Sequence, residues 1–244
     1  MFIDILTIFP EFFSSPSSVG NMKIAIEKGL MNVHIHNIRD YSKDKHKKTD
    51  DYGFGGGSGM IMMIQPVYDA YQAVKSEKSH VILFTPQGDT LKQKRIEKIA
   101  EFDHLIFICG RYKGIDSRVD SIVDEKISIG DYIISGGEFP AIILLDSIAR
   151  LMPKVIGDIE SAREDSFSSG LLDSPRFTRP RLFNDLAVPG VLVSGNHKEI
   201  GKWRRQESLK LTFYKKPYLL SNMKLSKEDK EYIDGLNNEN AKEE

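Results

Sequence analysis

The sequence predicts an α/β domain with a mostly parallel sheet, followed by a small helical C-terminal domain. Two observations predict the first part: short apolar runs of strand length alternate with helically periodic stretches, and several of those runs end in Gly- or Pro-containing turns. A third predicts the division. From Gly157 to Asn184 the composition turns to Ser, Asp, Gly, Pro and Arg with little apolar periodicity, and helical patterning returns only at Asn196.

Phe2–Phe9 reads as a buried strand closed by Pro10, and Met22–Lys28 as a short helix stopped by Gly29. Val33–Ile38 alternates as a second strand, which puts His34 and His36 on one side of it; no nearby Cys or carboxylate completes a metal shell. A helix opens at Gln65-Pro66 and runs to about Lys78, followed by the strand Val81–Thr85 ending in Pro86-Gln87-Gly88. Leu91–Glu101 reads as a helix and Leu105–Cys109 as a strand ending in Gly110. Ile127–Gly130 and Asp131–Glu138 lead into a helix from about Pro140 to Met152, on which Asp146 and Arg150 share a face. In the C-terminal part, Asn196–Phe213 is helical, and Ser226-Lys-Glu-Asp229 resembles a capping box before a last helix. The division expected is a domain over 1–160, a linker over 161–175 and a helical domain over 176–244.

A chain of 244 residues buries a sizeable core. Its single cysteine, Cys109, ends an apolar run and reads as a buried strand residue, so no disulfide framework is expected and a reducing compartment is favoured. The N-terminus reaches Asp4 at once and lacks the basic and long apolar regions of a signal peptide, and no apolar stretch approaches a membrane span; the expected location is the cytosol. Thirty-four Lys plus Arg against 35 Asp plus Glu leave a net charge of −1, which gives no global argument for nucleic acid. The charge is nonetheless uneven: Arg39 to Lys48 and Arg176 to Arg205 are rich in cations, and the C-terminal tail is acidic.

The glycine run Gly53–Gly59 suggests a phosphate cradle, but no lysine follows it and the dinucleotide spacing fails. Three loops after strands suit backbone hydrogen bonding to a flat ligand: Thr85–Gly88, Cys109–Asp116 and Ile129–Glu138.

The ordered succession Asp50-Asp51, Gly55-Gly-Gly-x-Gly59-Met60, Pro86-Gln-Gly88, Cys109-Gly-Arg-Tyr112, Gly114-Ile-Asp116, Ile129-Gly-Asp-Tyr132, Ser135-Gly-Gly-Glu138, Glu164-Asp-Ser-Phe167, Gly170-Leu-Leu-Asp173, Thr178-Arg-Pro180 and Ser194-Gly-Asn-His197 closely resembles the bacterial tRNA (guanine-N1)-methyltransferase family, TrmD. That resemblance implies a SPOUT-type domain with a C-terminal trefoil knot, a homodimer with shared active sites, and methyl transfer from S-adenosylmethionine to N1 of guanosine 37 beside guanosine 36 of tRNA. It implies donor binding by Thr85, Pro86, Gln87, Gly110, Tyr112, Ile129, Gly130, Asp131, Tyr132, Ile133, Ile134, Gly136 and Gly137. A Mg²⁺ requirement is implied as well, with no ligand set visible.

Guanine N1 carries a proton at neutral pH, so a carboxylate must remove it, and the charge then pushed onto O6 calls for a fixed cation. By position in the resemblance, Asp165 is the base and Arg150 the cation. Lys45, His46, Lys47 and Lys48 suit RNA phosphates, and Asp50 a base edge. The basic C-terminal domain is expected to hold the anticodon stem, with Ser194 and His197 among the substrate residues. The sequence departs from the family at Lys113, where an acidic residue is common, at Gly53 and Ser58, where prolines are common, and over Arg181–Asp185. Two rivals are a related enzyme acting on another RNA atom, for which Asp165→Asn stays active, and a catalytically silent RNA-binding protein, for which no donor binds saturably.

Overall fold

Five strands carry the sheet in the computed structural model, which describes residues 1–157, 165–221 and 223–243. They are β1 (Phe2–Thr7), β2 (Asn32–Asn37), β5 (Ser79–Thr90), β6 (His104–Cys109) and β7 (Glu125–Ser128), in the spatial order β2-β1-β6-β5-β7 and all parallel. Between β2 and β5 the chain forms a short antiparallel hairpin, β3 (Asp50–Tyr52) with β4 (Met60–Met62), whose connection is the glycine run.

The central strands read as unbroken apolar runs because both faces of the sheet are covered. Ile3 and Ile5 of β1, Leu105 and Phe107 of β6 and Ile82 and Phe84 of β5 face one core, under helices α1 (Gly20–Glu27), α3 (Gln93–Ile99) and α4 (Glu138–Leu151). Their alternates Leu6, Ile106, Ile108, Val81 and Leu83 face a second core under α2 (Ile64–Val74) and the 3₁₀ turn Ser117–Ile122. Cys109 is fully buried in the first core, and burial, with the Glu138 carboxylate, pushes its thiol well up, so it is a packing residue.

β5 runs further than the strand expected over Val81–Thr85. After Phe84 pairs with Ile127, residues 85–88 bulge out and the strand rejoins β7 at Asp89 and Thr90. Gly88 permits this: a Cβ there would lie 2.4 Å from the Ile127 backbone nitrogen. Helix α3 is accordingly shorter than the stretch Leu91–Glu101, and α2 stops at Val74 rather than near Lys78.

Residues Met1–Ile159 and Glu160–Glu244 form two compact units. The second contains α5 (His197–Lys215), α6 (Tyr218–Ser221) and α7 (Lys227–Glu243). Asn196 caps α5 by accepting from the Glu199 amide, and Ser226 and Asp229 form the reciprocal capping box at α7. The composition-poor stretch also holds a small hairpin, β8 (Leu182–Phe183) with β9 (Leu186–Ala187), turned by Asn184 and Asp185 at φ 47° and 62°. Glu164 and residues 161–164 of the expected linker lie outside the described residues. Among the described residues, no helix is long and apolar enough to cross a membrane.

Candidate active site

The carboxyl ends of β5, β6 and β7 lie side by side, and the loops leaving them enclose a cleft of about 620 Å³. This is where an open parallel sheet presents backbone amides and short loops to a ligand. The bulge within β5 supplies Thr85, Pro86 and Gln87, the turn after β6 supplies Gly110 and Tyr112, and the segment after β7 supplies Ile129, Gly130, Tyr132, Ile133, Ile134, Gly136 and Gly137. Twelve of the thirteen residues expected at the donor site thus line one cavity. Asp131 is exposed and does not line it.

Glycine is needed where these loops meet. Gly137 donates its amide to the Gly110 carbonyl at 2.9 Å, and a Cβ on it would stand 2.7 Å from Cys109 Cα. Gly130 adopts φ +141°, and a Cβ there would meet the Tyr132 ring at 2.7 Å. The Ser128 hydroxyl holds the turn by accepting from the Gly130 amide.

A buried polar network lies under this edge. Glu138, the first residue of α4, is wholly buried; its carboxylate accepts from the Thr7 hydroxyl at 2.8 Å and from Arg111 Nε at 3.0 Å. The Arg111 guanidinium also sits over the Phe9 and Phe12 rings, at 4.6 and 5.1 Å, and its buried Nη2 has no hydrogen-bond partner among the described residues. Sequence reading assigned Arg111, Glu138 and Thr7 no role. The one available signal was an acidic residue opening a strongly apolar helix, and its partners lie 27 and 131 residues away.

Tyr112 adopts φ +60° beside Asp50 and Arg39. Partial burial, then the Asp50 carboxylate, raise its phenol above the ordinary value, while Arg39 opposes them. Asp50, the first residue of β3, therefore stands near the rim of the cleft. Lys45 and His46 lie exposed on a loop organised by Asp44, whose carboxylate accepts from the amides of His46 and Lys48; those two bonds hold its pKa below the usual range. Lys47 donates to Asp40 at 2.7 Å.

Arg150 is exposed in the last turn of α4, in the first unit. Asp165 belongs to the second unit, where its carbonyl accepts from Ser168 and where Ser166 Oγ accepts from the Asp173 amide. Ser194 and His197 lie exposed in the same unit, Ser194 closing a 3₁₀ turn and His197 opening α5. His36 is committed elsewhere, to Asp4 at 2.7 Å, and among the described residues no group of three His, Cys, Asp or Glu side chains is placed to hold a metal ion.

The family profile described as tRNA (Guanine-1)-methyltransferase TrmD matches residues 1–222. Proteins named tRNA (guanine-N(1)-)-methyltransferase are similar along nearly the whole chain. The protein of Dictyoglomus turgidum is 48% identical over 237 residues, covering 97% of both chains. Those of Carboxydothermus hydrogenoformans and Vibrio campbellii are 49% and 45% identical, covering 94% and 99% of this chain and 91% and 100% of their own. With a profile matched over nine-tenths of its length and relatives this close from end to end, the chain belongs to the TrmD family of tRNA guanine-N1 methyltransferases.

Proposed function

We propose that this chain transfers the methyl group of S-adenosylmethionine to N1 of guanosine 37 in tRNA, reading guanosine 36 beside it, as a cytosolic homodimer with active sites shared between subunits. The observation that carries the reading is the gathering of the three family loops around one cleft at the carboxyl edge of the sheet. Its size is that of a small-molecule cofactor site. Its walls suit an adenosine: the backbone of Gly136 and Gly137, where a Cβ has no room, apolar Ile133, Ile134 and Pro86, and the rings of Tyr112 and Tyr132. The donor brings a methyl group made electrophilic by its sulfonium.

The protein's own part is to bind, orient and move one proton. The Asp165 carboxylate takes the proton from guanine N1, which frees the lone pair that attacks the methyl carbon. The Arg150 guanidinium offsets the negative charge that this pushes onto O6. The cleft loops hold the donor in line with N1, which is a matter of position rather than of further chemistry. Lys45, His46 and Lys48 meet RNA phosphates, Asp50 reads a base edge, and Ser194 and His197 contact the anticodon arm. The three cleft loops are those of the proposed trefoil knot, and no step here runs through Mg²⁺.

Methyl transfer from labelled S-adenosylmethionine to a tRNA carrying guanosines 36 and 37 tests this, alongside a transcript with adenosine at 37 and the Asp165→Asn variant. Label at N1 of guanosine 37 is expected in the first reaction, with a loss on the order of a hundredfold to ten-thousandfold for Asp165→Asn. Undiminished transfer in either control would replace this reading with methylation of another atom or another RNA.

A further inference from the structure

Among the described residues, four charged side chains line the cleft: Arg111, Lys113, Asp120 and Lys126. Three are matched inside the protein, Arg111 by Glu138 at 3.0 Å and Lys126 by Asp120 at 2.8 Å. Lys113 makes no ion pair with any described residue. It is the one cleft cation left for a ligand, and it stands where the family commonly has the opposite charge.

Its placement is fixed by two contacts. Its amide donates to the Met60 carbonyl at 3.0 Å, which with the Met62 amide on the Gly114 carbonyl at 2.9 Å fastens residues 113–114 along β4. Its alkyl stem lies against Gly59, where a Cβ would be 2.9 Å from Lys113 Cγ and 3.1 Å from Cε. Gly59 has φ +92°, so the glycine run offers a bare backbone shelf for that stem. Backbone and stem are thus anchored, and only the ammonium end keeps freedom to meet a ligand.

We propose that Lys113 is a donor-binding residue specific for the α-carboxylate of S-adenosylmethionine. This rests on the reading of the cleft as the donor site. The donor carries a sulfonium, an ammonium and a single carboxylate, so a cation in the cleft can be matched only at the carboxylate and is repelled by the rest. The charge at Lys113 thus selects the carboxylate at the amino-acid end of the donor.

The test compares equilibrium binding of S-adenosylmethionine with that of decarboxylated S-adenosylmethionine, which keeps both positive charges and lacks only the carboxylate. Titration calorimetry on the full-length wild-type protein and on Lys113→Met and Lys113→Arg needs no turnover. Wild type is expected to prefer the carboxylated donor by about fivefold to tenfold, the size of a charge-assisted contact partly open to water. Lys113→Met is expected to bring that preference to within about twofold, with the affinity for the decarboxylated ligand equal to or above that of wild type because the repulsion between like charges is gone, and Lys113→Arg to retain the preference. A preference that survives Lys113→Met overturns the proposal, as does weakened tRNA binding with the preference intact, which would give Lys113 to an RNA phosphate. If wild type binds neither ligand, it is the donor reading of the cleft that fails.

Discussion

Of the polar networks among the described residues of the first unit, the one at the carboxyl edge and the one around Asp4 are made differently. At the carboxyl edge, Glu138 is fully buried between Thr7 and Arg111, and one guanidinium nitrogen is buried without a partner among the described residues. On the other side of the sheet, where α2 ends, Asp4 accepts from His36 and His104 at 2.7 Å each, and His104 Nδ1 meets Ser76 and Ser79 at 2.9 Å each. Both carboxylate oxygens are engaged in each network, but in the second the Asp4, His36 and His104 side chains keep some contact with water. The difference teaches which edge is constrained by more than stability. A buried charge pair is costly in itself, and this one sits directly against the loops that line the cleft, whose positions it fixes. The Asp4 network ties β1, β2 and β6 together away from the cleft.

The sharpest break in that comparison is Glu138→Gln. It keeps the shape but leaves the Arg111 charge buried without its counterion, for which a loss of about 3–5 kcal/mol is expected, measured by urea unfolding. A loss below about 1 kcal/mol would mean that Arg111 is balanced by something other than Glu138. Next comes Gly137→Ala. Its methyl group would press on Cys109 Cα, a backbone atom that cannot swing away, so about 2–3 kcal/mol of stability is expected to go, together with donor affinity. Gly190→Ala, with no described atom within 4 Å of its added Cβ, is the control and should change neither. Asp4→Asn is expected to cost about 1 kcal/mol in thermal unfolding while donor affinity stays at the wild-type value. A fall in donor affinity with Asp4→Asn would erase the distinction between the two networks.

Much of this was legible in the sequence because of periodicity. Ile3 and Ile5 against Leu6 and Ile8 announce a strand covered on both faces, and the glycines after β6 and β7 mark the loops that line the cleft. What stayed hidden was non-local. No spacing rule brings Thr7, Arg111 and Glu138 together, since they meet only through the order β1-β6-β5 of the sheet and the start of α4. The bulge after Phe84 was hidden for a related reason: Pro86-Gln-Gly88 reads as the end of a strand, and the chain resumes pairing because β7 happens to lie against Gly88. The hairpin Leu182–Ala187 escaped because two-residue strands leave no period to read. Asp165 and Arg150 came from motif order alone, without any physical signal of their own.

The second unit offers a milder version of the carboxyl-edge pair, and pH separates it from the rest. Arg205 Nε and Nη2 donate to the two oxygens of Asp229 at 3.0 and 2.8 Å, while Asp229 also accepts from the Ser226 amide in the capping box. The Arg205 guanidinium, against a smaller opposing effect of burial and helped by Ser226, lowers the Asp229 carboxyl to about 2. Its value in the unfolded chain is about 4, so the folded state holds its proton more weakly. The stability this contributes is fully present above pH 4 or so and is lost as pH falls through about 2. Trp203, the only tryptophan in the chain, lies on α5 with Arg205, so its fluorescence follows this unit. Acid titration of the full-length protein should show Trp203-reported stability declining across that window. Asp229→Asn should start lower at neutral pH and lose less across it, because the amide cannot take up the proton. A wild-type profile parallel to that of the variant would mean that Arg205 and the α7 cap hold the unit no more tightly than neutral hydrogen bonds do.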